Sequence, residues 1–340
     1  MIRQAKAFLI ESLGPWYGPL RDIFWDAFAL NRRTSLLWVG SFLVLGSLVW
    51  WQQERRRRGA TGFLGYVFQK SVYLHPSAIV DYQYFVVSKV LFVLVLGSLS
   101  LSATTVANQV VPWLTEWLGA SPWKGSALFV NFAFTLASLV AFDLGYFLGH
   151  YVMHKVPLLW ELHRVHHSAE VLTPITSYRE HPFDSLMQAG FEGVSMGLVT
   201  AAFTWAYPDV QLLTLGGVNI LYLPSYLASN LRHSHIGLSY PGAASHVFSS
   251  PLQHQAHHGA APQYMDVNFG LFLSVWDWMA GTLHIPRPGE TIASGLVGEP
   301  GQDYPNLWKL YTVPLRRIGE RLGRSLVRAG APPPTLGRTI

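Results

Sequence analysis

The stretch that decides the fold is residues 143–167, which read DLGYFLGHYVMHKVPLLWELHRVHH. It joins an apolar segment to a run of histidines, of which His150 and His154 are four residues apart. On a helix that spacing places two side chains one turn apart on the same face. Two further sets have the spacing HxxHH, formed by His163, His166 and His167 and by His254, His257 and His258. Helical histidine sets of this kind can hold metal ions.

The composition favours an integral membrane protein. Half of the 340 residues are hydrophobic, 13% are charged, and the mean hydropathy is +0.24. The chain has no cysteine, which excludes disulfides, thiolate-bound iron–sulfur clusters and cysteine-ligated haem. The formal net charge is +5, and arginines lie beside apolar segments, a pattern that favours contact with anionic lipid over nucleic-acid binding.

The apolar runs predict an all-α protein, an integral membrane helical bundle of about four to five transmembrane or re-entrant helices. The predicted spans cover residues 36–51, 84–106, 126–148, 190–207 and 210–231. An aromatic connection over 108–125 is expected at the membrane interface, and an amphipathic stretch is expected over 269–279. Arginines at 55–58 favour the cytoplasmic side, so counting the crossings places the histidine sets on the cytoplasmic face of a multi-pass inner or cytoplasmic membrane protein.

These patterns divide the chain into three segments. Residues 1–35 are interpreted as an N-terminal amphipathic, interfacial segment, 36–285 as the membrane domain, and 286–340 as a Pro- and Gly-rich basic tail. In the tail, apolar residues alternate with arginines at helical spacing: Leu315, Ile318, Leu322 and Leu326 with Arg316, Arg317, Arg321, Arg324 and Arg328. This pattern suits a helix lying on anionic headgroups, and a solvated terminal helix is the alternative.

Clustered histidines carry a stronger signal than isolated ones. His75 and His284 have no histidine neighbours, so we expect them to be ordinary structural residues. The eight clustered imidazoles exceed what one ion binds, since a single ion takes about four to six ligands. Together with His233, and with His235 as a further candidate, they predict two metal ions. Imidazole by itself does not choose among zinc, copper, iron and nickel.

Four acidic or amide residues are candidates to orient the imidazole rings without binding metal themselves. Asp143 lies two helical turns before His150 in an apolar segment, where an unpaired carboxylate is costly, so we expect it to accept an imidazole N–H. Asp266, Asn268 and Asp277 follow the third histidine set and are candidates to orient its rings and fix their tautomer. Capping or turn roles are the alternative for each.

The three histidine sets resemble the HxxxH box and the two HxxHH boxes of the fatty acid hydroxylase/sterol desaturase superfamily of membrane di-iron oxygenases. The boxes are His150-Tyr-Val-Met-His154, His163-Arg-Val-His166-His167 and His254-Gln-Ala-His257-His258. Flanking motifs match over about residues 71–283: Asp143, Leu159-Trp160, Ser168, Tyr178-Arg179-Glu180-His181-Pro182, Asp266-Val-Asn268-Phe-Gly270, Trp276-Asp277 and Gly281-Thr282. One departure is Tyr151, since relatives often carry arginine after the first histidine.

The resemblance implies a helical membrane bundle with a cytoplasmic histidine-rich cap, in which histidines hold two iron ions that activate O2 for attack on a lipid C–H bond. It adds His233 to the iron ligands and gives His181 and His235 supporting or structural roles. We recognise no electron-transfer domain in the sequence, so we expect electrons from a separate partner of the cytochrome b5, ferredoxin or reductase type. The other implied partners are a lipid substrate from the bilayer and the membrane lipids.

We therefore expect an O2-dependent membrane oxidoreductase, a di-iron monooxygenase that hydroxylates a C–H bond of a fatty acyl chain, a sterol or a related lipid. A lipid desaturase with the same di-iron site is the alternative. A non-catalytic metal-binding or transport protein is less well supported, because transporters place ionisable ligands near the membrane midplane, whereas these histidines collect at one face. A zinc hydrolase is disfavoured because no Glu or Asp inside the boxes can act as a general base.

Overall fold

The computed structural model describes residues 35–54, 62–91, 101–121, 125–215, 217–287, 290–296 and 303–330. The interfacial segment predicted over 1–35, apart from its last residue, lies outside these residues. The arginines at 55–58, on which the predicted orientation in the membrane depends, also lie outside them. Both therefore stay predictions.

The described part of the chain is mostly helical, which confirms the expected helical class. Its helices are α1 (Leu36–Val49), α2 (Phe63–Val67), α3 (Lys70–Tyr73), α4 (Pro76–Leu91), α5 (Ala103–Leu118), α6 (Ala127–Lys155), α7 (Pro157–His167), α8 (Pro182–Ala206), α9 (Leu223–Arg232), α10 (Ala244–Val247), α11 (Pro251–His257), α12 (Val275–Ala280) and α13 (Leu307–Gly330). A π-helical turn, Trp50–Glu54, extends α1, and 3-10 turns lie at Pro174–Tyr178, Ile220–Tyr222 and Pro262–Tyr264. Strands β1 (Thr214–Leu215) and β2 (Val218–Asn219) form an antiparallel hairpin, with Thr214 opposite Asn219.

Two of the described helices are long and apolar enough to cross a bilayer. They are Leu36–Gln53, which contains α1, and Ala127–Lys155, which is α6. Apolar side chains of α6 are exposed along much of its length, including Leu128 at 74% and Phe132 at 50%. Exposed apolar surface on this scale suits contact with lipid chains better than contact with water.

Glycines let α6 and α8 approach each other closely. Gly145 and Gly149 are four residues apart on α6, and a Cβ atom at Gly145 would lie 2.8 Å from the carbonyl oxygen of Phe191. Ser195 of α8 donates a hydrogen bond of 2.6 Å to the carbonyl oxygen of Ala141. Small residues at this spacing are typical of closely packed membrane helices, and the contacts show that α6 and α8 run antiparallel.

A second glycine pair packs α8 against α5. A Cβ atom at Gly193 would overlap the carbonyl oxygen of Leu101, and one at Gly197 would overlap the side chain of Val106. The two glycines are again four residues apart, so they lie on one face of α8. Helix α8 is therefore the middle member of a layer that contains α5, α8 and α6.

The span predicted over 84–106 lies partly outside the described residues, since residues 92–100 are not described, and its last part is wrong. Helix α4 is described to Leu91, and a separate helix begins at Ala103, where the Ser102 hydroxyl accepts a hydrogen bond of 3.1 Å from the backbone N–H of Thr105. That helix, α5, continues to Leu118, so most of the interfacial connection predicted over 108–125 is helical. Apolar periodicity continues past the capping residue, which is why the pattern alone missed the new helix start.

The span predicted over 210–231 is also wrong, and the one predicted over 190–207 is only the second part of α8. After α8 the chain forms the β1–β2 hairpin, and only the ten residues of α9 are helical. Gly217 takes a φ of 80° in the hairpin turn, and Asn219 donates a hydrogen bond of 3.0 Å to the carbonyl oxygen of Thr135. The first part of this segment therefore bonds to α6, and no single helix covers 210–231.

Helices α4 and α7 form a cap at the C-terminal end of α6, and α13 packs against it. A buried apolar cluster joins α4, α7 and α13, and consists of Val80, Tyr84, Val165, Tyr304, Leu310 and Val313. Beside it, Arg179 forms a fully buried ion pair of 2.7 Å with Asp81 and donates to the carbonyl oxygen of Val165 at 3.1 Å. The apolar cluster attaches α13, from the predicted basic tail, to the helix that carries the second histidine box, and Arg179 joins that helix to α4.

Candidate metal centre

The first two histidine boxes meet at the end of α6. His150 and His154 lie one turn apart, with ring centroids separated by 5.1 Å. Helix α6 ends at Lys155, and Pro157 starts α7 almost at once, because proline is favoured at the first position of a helix. This tight corner folds α7 back on α6, so that the Nε2 atoms of His150 and His163 are 3.1 Å apart.

The third box lies on α11, whose start is fixed by a capping box. The Ser250 hydroxyl accepts from the backbone N–H of Gln253, and the Gln253 side chain accepts from the backbone N–H of Ser250. His233, directly after α9, joins the second and third boxes. Its Nε2 atom lies 3.2 Å from that of His166 and 3.1 Å from that of His254.

The nine histidines form two groups whose ring nitrogens could hold metal ions. The first group contains His150, His154, His163, His167 and His257, and the second contains His166, His233, His254 and His258. Within each group the potential ligand atoms lie within 4.8 Å of one another, and every residue is buried except His154, which is half-buried. The structure therefore brings together all nine histidines that were selected from the sequence.

Each HxxHH box divides its histidines between the two groups. The first and last members stay together, as His163 and His167 do in the first group and His254 and His258 do in the second. The middle histidine is adjacent in sequence to the last one and points about 100° away from it around the helix. It therefore joins the other group, so two facing boxes of this spacing both contribute to two sites.

Backbone carbonyl groups determine which nitrogen carries the hydrogen in two rings of the first group. The Nδ1 atom of His150 lies 2.8 Å from the carbonyl oxygen of Phe269, and that of His257 lies 2.6 Å from the carbonyl oxygen of Val267. Because a carbonyl oxygen only accepts, these rings donate from Nδ1 and direct the lone pair of Nε2 into the group.

Carboxylates hold two more rings of the first group in the same way. Nδ1 of His163 lies 3.0 Å from Asp184, and Nδ1 of His154 lies 3.2 Å from Asp266, which also accepts from Lys155 at 2.7 Å. Asp266 was expected to orient a ring of the third box, but it contacts the first box. Asp184 was not predicted, and its only signal in the sequence is a carboxylate in the first turn of an apolar helix.

The first group fits a bound metal ion. The Nε2 atom of His167 lies 3.1 Å from that of His154 and 3.2 Å from that of His163. Facing lone pairs repel each other unless a cation lies between them. Burial and neighbouring imidazoles lower the pKa of His167, and burial lowers the pKa of His257 to about 3, so protons do not supply that charge near neutral pH. Neutral imidazoles are the form that binds metal.

The second group has a cation against one of its rings. Nη2 of Arg232 donates to Nδ1 of His254 at 2.9 Å, and the same guanidinium donates to the carbonyl oxygens of Gly270, at 3.1 Å, and Leu271. A neutral ring that accepts at Nδ1 carries its hydrogen on Nε2, which here is the atom that faces His233. Carboxylates therefore support the first group, whereas a guanidinium lies against the second.

Asp143 does not hold an imidazole, contrary to the prediction. Its carboxylate accepts hydrogen bonds from the backbone N–H groups of Phe272, at 2.8 Å, and Leu273, at 3.1 Å, and from the indole of Trp276 at 2.8 Å. The buried charge on α6 is thus satisfied by the loop before α12. That loop in turn presents the carbonyl group of Phe269 to the first group of histidines.

Asn268 and Asp277 also bind backbone groups and do not orient imidazoles. Asn268 donates to two backbone carbonyl oxygens, and Asp277 accepts from the backbone N–H groups of Phe269 and Gly270 at 2.8 Å each. Because these N–H groups bond to a carboxylate, the amphipathic stretch predicted over 269–279 is helical only in its last part, α12.

His181 and His235 lie outside both groups. Nε2 of His181 donates to the carbonyl oxygen of Tyr311 at 3.3 Å, and Nε2 of His235 donates to the carbonyl oxygen of Tyr66 at 2.7 Å. Burial lowers the pKa of both rings. Each ring therefore connects the backbone of two neighbouring elements, in keeping with the structural role that was the alternative for them.

Comparisons with known proteins agree on one family. Residues 135–282 match the fatty acid hydroxylase family. The ornithine lipid hydroxylase OlsE of Rhizobium tropici is 27% identical over 174 residues, 49% of each chain, and an alkylglycerol monooxygenase of Caenorhabditis elegans is 27% identical over 155 residues, 46% of this chain and 28% of the relative. A Delta(7)-sterol 5(6)-desaturase of Candida glabrata is 25% identical over 236 residues, 65% of this chain and 55% of the relative.

The matched parts cover about half or less of the first two relatives, and no solved structure matches the chain. The family match nevertheless contains every one of the nine grouped histidines. It confirms the resemblance that the spacing of the three boxes indicated. Residues 135–282, which carry all three boxes, are therefore similar to the fatty acid hydroxylase/sterol desaturase superfamily.

Proposed function

We propose that this chain is a membrane-bound di-iron oxidoreductase that hydroxylates a C–H bond of a lipid with O2. The observation that supports this most directly is the pair of buried histidine groups, one of which directs uncharged Nε2 atoms inward. The named activities of the relatives, which are lipid hydroxylation, alkylglycerol oxygenation and sterol desaturation, support lipid oxidation. The choice of iron rests on the family, because imidazole suits several metals.

Two iron ions held by these histidines would activate O2, place one oxygen atom in the C–H bond and release the other as water, with two electrons and two protons supplied from outside. The chain itself keeps water away from the first group. The buried ring of Phe269 packs against His150, His154 and His257, with centroid distances of 5.5, 4.9 and 5.6 Å. A dry site limits side reactions of an activated oxidant.

The position of the two groups suits a substrate that arrives from a bilayer. Both groups lie at the C-terminal end of α6, which is apolar and long enough to span a membrane. We propose that this end is on the cytoplasmic side of a multi-pass inner or cytoplasmic membrane protein. A soluble electron donor of the cytochrome b5, ferredoxin or reductase type would reach the groups from that side.

Desaturation at the same site is the second candidate function, and the similarity to a sterol desaturase favours it. The two reactions begin at the same C–H bond and differ in whether oxygen is inserted or a second hydrogen is removed. A zinc hydrolase fits less well. The two carboxylates that contact the first group, Asp184 and Asp266, already accept hydrogen bonds from histidine Nδ1 atoms and are not placed as a general base.

Isotope labelling tests the proposal. The full-length chain is produced with iron, its metal content is measured, and it is supplied with reductant and oxygen-18 before its lipids are examined by mass spectrometry. We expect labelled hydroxylated lipid from the wild type and none from His166→Ala. The matched control is His246→Ala, which removes an exposed histidine outside both groups.

Two other results would change the conclusion. An unlabelled product that lacks two hydrogens would show desaturation. Full occupancy by zinc with no oxidised lipid in any preparation would refute the oxidoreductase proposal.

A further inference from the structure

The packing of α6 and α8 shows at which level along the axis of α6 the helix α13 lies. Ser195 lies against Ala141, and Gln188 lies against Gly149, so the two helices run antiparallel in a fixed register. Continuing this register by about two turns sets the start of α8 level with Lys155, the charged end of the apolar helix α6. The start of α8 therefore lies at the boundary between the apolar helices and the cap.

Helix α13 crosses the molecule at this boundary. His181, the residue before α8, donates from Nε2 to the carbonyl oxygen of Tyr311 at 3.3 Å. The ring of Tyr84 stacks on that of Tyr311 with centroids 4.8 Å apart, and its hydroxyl donates to the carbonyl oxygen of Glu180 at 2.6 Å. Tyr311 is thus level with Lys155, where a span formed by α6 would leave the membrane.

One face of α13 attaches to the cap. Leu310 and Val313 are buried in the same apolar cluster as Val165 of α7. Arg321 donates to the buried carboxylate of Glu161 at 2.7 Å, which is also on α7. This inner face therefore fixes α13 to the helix that carries the second histidine box.

The opposite face of α13 is apolar and is not covered by the described part of the chain. Trp308, Leu315 and Leu322 recur every seven residues, about two turns, and are 72%, 48% and 47% exposed. Arg316 is exposed about 100° around the helix from Leu315 and forms an ion pair of 2.9 Å with Glu320, whereas the exposed Arg324 lies about 200° from Leu322, on the charged side of the helix. Both arginines belong to a cleft of about 300 Å³ lined by Glu161, Arg316, Arg317, Glu320, Arg321 and Arg324.

We propose that this outer face of α13 lies on the surface of the bilayer that α6 enters. The apolar row would lie between the headgroups and the acyl chains, where Trp308 is favoured, and the long side chain of Arg316, at the edge of the row, would reach phosphates of anionic lipids. Arginines alone would also suit an acidic protein. The exposed apolar row at the level of Lys155 is what favours a lipid surface.

Site-directed labelling tests this directly, because the chain contains no cysteine. A polarity-sensitive fluorophore is attached to Leu322→Cys or Leu315→Cys of the full-length protein, in phosphatidylcholine vesicles with or without phosphatidylglycerol. The matched control is Glu320→Cys, on the charged side of the same helix. We expect the first two labels to emit at shorter wavelength and to be quenched by nitroxide lipids, and the control label to be quenched by aqueous iodide.

Replacing Arg316 by Gln is expected to reduce the additional shielding that phosphatidylglycerol provides, whereas Arg324→Gln, on the charged side of the helix, should leave it unchanged. Iodide quenching of the Leu322→Cys and Leu315→Cys labels equal to that of the control, in both kinds of vesicle, would overturn the proposal. Shielding that appears only after a soluble acidic protein is added would also overturn it and would indicate protein docking. These measurements need no bound metal, so their outcome is independent of the proposed oxidoreductase activity.

Discussion

Single residues outside the two histidine groups decide which ring nitrogens face inward. Asp184 and Asp266 accept from Nδ1 atoms of the first group, whereas Arg232 donates to Nδ1 of His254 in the second. Acceptors of this kind fix the tautomer and raise the basicity of a ligand ring. A guanidinium has the opposite effect, because it occupies the lone pair at Nδ1 and adds positive charge near the site of a cation.

Removing the carboxylate of Asp184 should weaken metal binding by the first group. In Asp184→Ala, the ring of His163 loses the acceptor that lies 3.0 Å from its Nδ1 atom. Loss of such a partner typically lowers metal affinity by about 10- to 100-fold. Iron retained during dialysis against a graded series of chelators measures the change. Asp184→Asn keeps an acceptor oxygen, so its iron affinity should lie between that of the wild type and that of Asp184→Ala. An Asp184→Ala variant that retains iron like the wild type would contradict the prediction.

Replacing Arg232 should strengthen metal binding by the second group. In Arg232→Gln the positive charge is removed, and the amide oxygen can accept from Nδ1 of His254, which frees Nε2 for a metal. We expect the second equivalent of Co²⁺ to bind about tenfold more tightly, which corresponds to about 1.4 kcal/mol of additional binding free energy. Anaerobic titration followed by absorbance measures this, with Arg324→Gln as a surface control. Equal or weaker binding in a variant that melts like the wild type would refute it.

At the scale of helices, close packing depends on glycines at specific positions. Helix α8 meets α6 through Gly145 and Gly149 of α6, and meets α5 through its own Gly193 and Gly197. A third glycine of α8, Gly190, has open space where a Cβ atom would lie. Helix α8 therefore carries one glycine that should not tolerate alanine, Gly193, and a matched control, Gly190.

Gly193→Ala should destabilise the helix layer, because its Cβ atom would overlap the backbone carbonyl of Leu101, which a side-chain rotation cannot relieve. Overpacking of this kind costs about 1–3 kcal/mol. Gly190→Ala should be neutral or stabilising by up to about 1 kcal/mol, because alanine favours the helix. Thermal unfolding of the two variants in detergent compares them. Equal midpoints would show that α5 and α8 are not packed as closely as described.

At the scale of the whole molecule, nine histidines are gathered at one end of an apolar helix pair. In the metal-free protein this arrangement makes stability depend on pH. Burial lowers the pKa of His257 to about 3, and burial together with neighbouring charges lowers the pKa values of other rings outside the predicted spans: His166, His167, His254 and His258. In the unfolded chain a histidine titrates near 6.5.

The metal-free protein should therefore lose stability as the pH falls below about 6.5. Between the unfolded and folded pKa values the unfolded chain binds more protons, so each such histidine lowers the free energy of unfolding by about 1.4 kcal/mol per pH unit. Thermal midpoints of the metal-free protein from about pH 7.5 to about pH 5 measure the slope. His257→Gln should reduce the slope and His246→Ala should leave it unchanged. A flat profile would contradict buried, uncharged rings.

Local spacing was sufficient to predict the histidine groups but not the path of the chain. The boxes are helical repeats of three and four residues, so the nine histidines and the resemblance to one family could be predicted from the sequence. The end of the span over 84–106 and the span over 210–231 were wrong because an apolar run does not reveal a helix start at Ser102 or a hairpin bonded to Thr135. Those features depend on partners that are distant in the sequence or on single capping contacts.

The sequence by itself determined that the histidines of each box lie within about one helical turn of one another, because i, i+3 and i, i+4 geometry is a local property of the chain. Only the tertiary structure decided how they divide, with His257 entering the first group and His166 the second. It also decided that Phe269, Asp184 and Arg232 act on the rings. The physical reason is that adjacent histidines diverge around a helix, so the elements packed on each side determine where each ring binds.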